Sequence, residues 1–188
     1  MRKYYFTIFI RNDMHGIISS FYKEFIQEEY GKETLRQIEV SGELEKNAFS
    51  QEGSCSEYDF LALLDTSCRI VSTNREEILV SFGRYIAPIM LRTYQGLVHE
   101  DWLLFDVLEN IEGVMIRTVR RHNIQAPQVY WKAISRKDDC LELSYTSPRK
   151  LASLGVGIVQ ALSTFFNEPI KIQRTDFEDH TVLIIIRA

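Results

Sequence analysis

The stretch Cys140-Leu141-Glu142-Leu143-Ser144-Tyr145-Thr146-Ser147-Pro148-Arg149-Lys150-Leu151 changes its periodicity partway along. Up to Tyr145, apolar and polar residues alternate, so Leu141, Leu143 and Tyr145 share one face of a strand. Past Pro148 the spacing becomes helical: Leu151, Leu154, Ile158, Leu162 and Phe165 fall on one inward stripe, which predicts a helix from about Arg149 to Phe166. Upstream, Gln128 to Ile134 reads as a strand, joined to the next by Ser135-Arg136-Lys137-Asp138-Asp139 as a hairpin connection. Downstream, Ile170 to Thr175 and Thr181 to Ile186 read as two further strands. The C-terminal half is therefore β-β-α-β-β.

The N-terminal half has a helical texture. Met14 to about Tyr30 places Ile18, Phe21, Phe25 and Ile26 along one face, and Gly31 is positioned to end that helix. A short helix over Glu33 to Ile38 follows, and the small, polar residues 41–55 read as a loop. Ser56 is placed to cap a helix reaching Val71, with Phe60, Leu61, Leu64 and Cys68 inward. Thr73-Asn74-Arg75-Glu76 has capping-box spacing. The helix after it carries Ile78, Leu79, Phe82, Tyr85 and Ile86, and Pro88 is expected to kink or end it. Asp101 opens a helix to about Arg121, with Leu104, Leu108, Ile111, Met115 and Val119 on its apolar stripe. Pro127 marks the break before the strands. The whole reads as an α+β fold, a helical N-terminal half packed on an antiparallel sheet half.

Composition narrows the function classes. With 188 residues, 45% of them hydrophobic, the chain suits one compact domain. Acidic residues outnumber basic ones, 26 to 22, for a net charge of −4, which argues against nucleic acid as a partner. No apolar run is long enough to predict a membrane span. Met1-Arg2-Lys3 and Tyr4 to Ile10 imitate a secretion signal, but Arg11-Asn12-Asp13 interrupts it and no cleavage site follows, so Tyr4 to Ile10 reads as a short strand or tethered tail. Cys55, Cys68 and Cys140 form neither a disulfide framework nor a metal clip, which fits a cytoplasmic setting. No nucleophile stands at recognisable spacing from a base, so no enzyme and no metal site are predicted. Gly155-Val156-Gly157 sits inside a helix, where small residues permit close packing. Arg117, Arg120 and Arg121 read as a solvated face.

One constellation stands out. If the chain stays extended through Tyr145, Ser147 and Arg149, a phenol, a hydroxyl and a guanidinium point to one side. Such donors suit a carboxylate or a phosphate, with arginine supplying the bidentate contact. Helix amides beginning near Pro148 add to the attraction for anions. From pattern alone the same residues also read as a packed tyrosine, a capping serine and a surface arginine, since residues like these often cap helices.

Met14-His15-Gly16-Ile17-Ile18 at the start of the first long helix, Phe82-Gly83-Arg84 in the fourth, Tyr145-Thr146-Ser147-Pro148-Arg149, and Asp179-His180 before the last strand come in an order that resembles the heme-nitric oxide/oxygen-binding (H-NOX) domains. The resemblance spans Met14 to Ile186, leaving residues 1–13 as an N-terminal extension and 14–188 as a single sensor domain. It implies a heme between the helical and β-rich halves, with Tyr145, Ser147 and Arg149 gripping its propionates. Pro127 would press on the porphyrin, and Ile18, Tyr22 and Leu154 would line the distal wall. Leu154 stands where a family tyrosine stabilises oxygen, which implies that oxygen is disfavoured.

The sequence departs from the family at the iron. In the run Leu108-Glu109-Asn110-Ile111-Glu112-Gly113-Val114-Met115, Met115 takes the place of the family's iron-binding histidine. Imidazole is a firm iron ligand, whereas a thioether is soft, neutral and weaker alone. Met115 also reads as a flexible core filler, and His15, His99, His122 and His180 read as surface or capping residues. Three functions stay open at this point. One is a signalling sensor that does not hold heme in the family's usual way, its pocket taking another apolar carboxylate such as a fatty acid or a metal-free tetrapyrrole. The second is a heme-binding nitric oxide sensor with Met115 or a displaced histidine on the iron. The third is a ligand-free interaction domain. The family context implies output through another chain, such as a histidine kinase or a diguanylate cyclase.

Overall fold

The computed structural model describes residues 14–41, 57–93, 96, 98–121, 130–146 and 150–188, without the side chains of 14–17, 57–59 and 114–121. The expected Tyr4–Ile10 strand, the 41–55 loop past Ser41, the Ser56 cap and Pro127 lie outside these residues. The chain forms two compact units that divide between Ile78 and Leu79.

The first unit is helical: α1 (Met14–Tyr30), α2 (Lys32–Ser41), α3 (Glu57–Ile70) and the opening of α4 (Arg75–Thr93). Gly31 ends α1 as expected. Its N–H reaches the Gln27 carbonyl at φ +93°, a conformation that costs glycine little. The helix after it is longer than the sequence suggests, and an ion pair between Lys23 and Glu39 ties α2 back to α1. Phe21, Tyr22, Phe25, Ile26, Ile38, Phe60, Leu63 and Leu64 are buried. The inward stripe of α3 is rotated from the expected one. Leu63, Thr66 and Ser67 are buried, whereas Leu61 and Cys68 are half-buried. The Ser67 hydroxyl satisfies itself on the Leu63 carbonyl, so a polar residue is tolerated inside.

The cap of α4 lies one residue later than the capping-box reading. The Asn74 side chain accepts the Glu77 N–H at 2.8 Å, and the Thr73 hydroxyl donates to the Glu77 carboxylate. Asparagine is as good a cap as threonine, and the later register lets Arg75 reach Asp65 across the turn. Pro88 does not end the helix, which runs on to Thr93.

The second unit holds the rest of α4, α5 (Leu104–Arg121), α6 (Ala152–Phe166) and a four-stranded antiparallel sheet of β1 (Tyr130–Lys137), β2 (Cys140–Thr146), β3 (Ile170–Asp176) and β4 (Thr181–Arg187), in the order β1-β2-β4-β3. Helix α5 starts at Leu104, three residues beyond Asp101, because its first amides are claimed by carboxylates. Asp106 accepts the Leu103 N–H and Glu168 accepts that of Leu104, both at 2.9 Å. Glu168 also takes Arg187, whose guanidinium lies 4.4 Å from the centre of the Phe105 ring. These contacts fasten the first turn of α5 to β4.

The predicted five-residue hairpin connection is a two-residue turn, Asp138–Asp139, with β1 running to Lys137. A bulge between Ala133 and Ser135 makes this consistent with packing. Trp131 and Ala133 lie opposite the buried Tyr145 and Leu143. Beyond the bulge it is Arg136, not Ser135, that lies opposite buried Leu141. The extra residue thus turns Arg136 toward α5, where it meets Asp106 at 2.7 Å and Glu109 at 2.8 Å.

Helix α6 also begins later than expected. Lys150 has φ +52°, a left-handed conformation that a helix starting at Arg149 would forbid. Leu151 occupies the cap position without a side-chain cap bond. The buried face is Ala152, Ser153, Gly155, Gly157, Val159, Leu162 and Ser163; Leu154 and Ile158 are half-buried and Phe165 is exposed. Glycines lie at its crossing with α4. A Cβ on Gly157 would fall 2.1 Å from the Val80 carbonyl oxygen, and one on Gly83 would fall 2.2 Å from that of Leu154. The close packing expected of Gly155 and Gly157 is what the structure contains.

Candidate functional site

The alternation of β2 carries Tyr145 to the inner face of the sheet at the strand's end. It is 5% exposed, opposite Trp131 on one side and Thr181 on the other. Its ring meets the Trp131 indole edge-on, with centroids 5.4 Å apart and planes at 72°. Tyr145 also lines a cleft of about 210 Å³, with Lys150, Ala152, Arg174, Asp176, Phe177, Glu178, Asp179, His180 and Thr181. Ser147, Pro148 and Arg149 lie outside the described residues, in the short connection from β2 to α6. Of the three donors expected there, the structure places Tyr145.

Charge in the cleft is mixed. Arg174 donates to the buried Ser153 hydroxyl at 2.7 Å and to Asp176 at 2.9 Å, and Thr181 donates to the same carboxylate. The Arg174 hydrogen bond holds the Asp176 carboxyl below its ordinary range against the opposing effect of burial, with Thr181 assisting. On the β3–β4 turn His180 pairs with Asp179 at 2.7 Å and stacks on Phe177. That pairing keeps the Asp179 carboxyl low. Lys150 and Arg174 are the cations of the cleft wall. Neither was singled out from the sequence. Arg174 follows Ile170 and Ile172 at two-residue spacing, which was the available signal for an inward side chain.

Trp131 is the other residue the sequence reading passed over. It is 6% exposed, and its benzo ring lies against Gly155 of α6. A Cβ at 155 would sit 2.5 Å from Cζ2 and 2.8 Å from Cη2 of that indole.

A heme needs two things from a protein of this kind: partners for its carboxylates and a donor for its iron. Tyr145 suits the first. For the second, helix α5 contains no histidine. Its acidic residues at the sheet end are engaged: the Leu103 N–H and Arg136 hold the Asp106 carboxyl low, and Glu109 and Asp106 raise the Arg136 guanidinium. Residue 115 lies in α5, but its side chain is outside those described. His99 pairs with Asp101 ahead of α5, and His180 is on the β3–β4 turn. Among the described residues no group of three or more His, Cys, Asp or Glu is arranged to hold a metal ion. Among the described residues, Tyr145 has the chemistry of a carboxylate partner, and neither described histidine side chain, His99 or His180, lies on α5.

In the first unit Tyr22 is fully buried, its ring 5.8 Å from Phe25 and 5.6 Å from Phe60. Burial pushes its phenol up, and a hydrogen bond with Ser67 works the other way. Ile18 is half-buried in the same unit, and Leu154 is half-buried in the second.

A family model described as haem-NO-binding matches residues 15–174. Several solved structures share the fold. The Fe(II) unliganded H-NOX protein from K. algicida is 18% identical with a TM-score of 0.84, over 93% of this chain and 97% of that one. An H-NOX protein from S. oneidensis in the Fe(II)NO ligation state is 16% identical with a TM-score of 0.81, over 93% and 99%. A mutant of T. tengcongensis H-NOX is 17% identical with a TM-score of 0.80, over 93% and 97%. No curated protein sequence matches. No helix among the described residues is long and apolar enough to cross a membrane.

Proposed function

Because the chain belongs to the haem-NO-binding (H-NOX) family, whose domains are sensors, we propose that it is a regulatory sensor domain that takes an apolar carboxylate other than a histidine-ligated heme. A fatty acid or a metal-free tetrapyrrole has the required chemistry, an apolar body with one or two acidic ends. The observation that carries this reading is the combination of Tyr145 at the cleft wall with a helix α5 that has no histidine. Tyr145, Ser147 and Arg149 are proposed as the carboxylate grip. Arg149 supplies the charge that makes burying a carboxylate tolerable, since an unpaired one is expensive. Pro127, Ile18, Tyr22, Leu154 and Met115 are proposed as apolar neighbours of the ligand. Output would pass to a separate signalling chain, such as a histidine kinase or a diguanylate cyclase.

The test is a visible spectrum of the purified full chain, recorded as isolated and after incubation with hemin, alongside mass spectrometry of the small molecules extracted from it. The reading expects a carboxylate lipid or metal-free tetrapyrrole in the extract and no stoichiometric Soret band from axially ligated heme. One heme per chain, with a spectrum of axial histidine or methionine, would overturn it in favour of a heme-based nitric oxide sensor.

A further inference from the structure

Tyr145, which lines the cleft, packs in a matched set with two residues from two other elements. The strand register puts Trp131 of β1 directly opposite Tyr145 of β2, and both rings are buried and in edge-to-face contact. The third member is Gly155 of α6. Its missing Cβ is the space the indole uses, because any side chain there would fall 2.5 Å from Cζ2. The indole is thus closed in by a helix backbone on one side and the Tyr145 ring on the other.

We propose that Trp131, seated in the Gly155 notch, is the positioning residue for Tyr145. It presets the phenol for the acidic end of the ligand, a role that rests on the reading of Tyr145 as part of the carboxylate grip. A tyrosine at the edge of an open cleft has rotamers that aim its hydroxyl elsewhere. An indole packed against its ring removes them before the ligand arrives, and a side chain already ordered spares the complex that entropy cost. The pairing is geometric, so it predicts tolerance of another flat ring at 131 and intolerance of a methyl at 155. Trp131 itself need not touch the ligand.

The experiment uses the full chain labelled with 3-fluorotyrosine, the Tyr145 resonance being assigned by its loss in Tyr145→Phe. Trp131→Ala and Gly155→Ala are expected to shift and broaden that resonance, while Trp131→Phe keeps it narrow. An unchanged Tyr145 signal in both Trp131→Ala and Gly155→Ala overturns the proposal. Protoporphyrin IX, titrated by absorbance, gives the second readout. Trp131→Ala is expected to weaken uptake about tenfold, the scale of one hydrogen bond to a charged group, and Trp131→Phe to leave it nearly unchanged. Trp131→Ala added to Tyr145→Phe should cost nothing more, since a positioning residue has no work left once the hydroxyl is gone. Losses that multiply would mean that Trp131 acts on the ligand directly and would overturn the positioning role. If the unmodified chain takes up no protoporphyrin IX, the tetrapyrrole form of the proposed function fails, and the fluorine spectrum still decides the role of Trp131.

Discussion

Substituting Gly157→Ala tests the packing at the α4–α6 crossing. The new methyl would meet the Val80 carbonyl oxygen at 2.1 Å, the Val80 carbonyl carbon at 2.9 Å and the Gly83 Cα at 3.0 Å. All three are backbone atoms, so no side chain can swing aside, and the helices have to part by roughly 1 Å to restore van der Waals contact. Overpacking of this kind costs about 3 kcal/mol, the upper end of its usual range because backbone must move. Alanine recovers about 1 kcal/mol through helix propensity. The net loss is roughly 2 kcal/mol, and in a chain of this length that lowers the melting temperature by about 4–8 °C. Calorimetry alongside urea unfolding measures it, with Gly96→Ala as control, since a Cβ there meets nothing within 4 Å. Gly83→Ala forces the same helices apart through the Leu154 carbonyl, so the double variant should lose less than the sum of the two singles. A Gly157→Ala protein as stable as the parent, or strict additivity in the double variant, would refute the reasoning.

Asn74→Ala removes the acceptor of the Glu77 N–H and should cost about 1 kcal/mol in urea unfolding. Asp106 and Asp176 have folded carboxyl values below their ordinary ones, so their contribution is full above the unfolded carboxylate range and lost as pH falls below about 4; Arg136→Ala and Arg174→Ala should each flatten the acid limb of stability against pH. Tyr22 has the opposite arrangement: its phenol is raised in the folded chain, so stability should fall as pH climbs above about 10, and Tyr22→Phe should remove part of that alkaline loss. Met115→His, with Glu112→His one helical turn earlier as a register control, should produce heme uptake with a five-coordinate spectrum if the missing imidazole is the only obstacle. A chain that stays colourless with histidine at either position would mean that the surroundings have changed as well.

Much of the fold was legible because its elements obey strong periodicities. The alternation through Leu141, Leu143 and Tyr145 and the helical stripe after Leu151 place β2 and α6 within a few residues of their observed bounds. Two of the misplacements, the start of α5 and the length of β1, share a cause, which is long-range contact. The start of α5 depends on Glu168, more than sixty residues away, accepting the Leu104 N–H. The length of β1 depends on a bulge that pays off only when Arg136 reaches Asp106 and Glu109. Nothing local to 101–104 or 135–139 records either. Tyr145 was legible because an aromatic residue at the end of an alternating strand beside arginine is unusual locally. Trp131 and Gly155 were not, because their meaning exists only as a pair brought together by register.

The two demands a heme makes are physically separable, so under the proposed reading a chain with no histidine on α5 still has a ligand to look for. Gripping a carboxylate is a matter of charge and hydrogen bonds at the β2–α6 connection, where the chain has Tyr145, Ser147 and Arg149. Holding iron is a matter of one soft or borderline donor on α5. In that reading the two tasks fall to different elements, so a change of donor on α5 leaves the residues of the grip as they are. In the proposed reading the grip has a requirement of its own, since a carboxylate taken into a buried site needs charge and hydrogen bonds to meet it. In a chain that takes no ligand, Tyr145 would serve as a ring packed edge-on against Trp131, a contact that phenylalanine keeps. Tyr145→Phe therefore separates the two readings: a protein that has lost no binding speaks for a packing role alone, and one that no longer takes up a carboxylate speaks for a site in use.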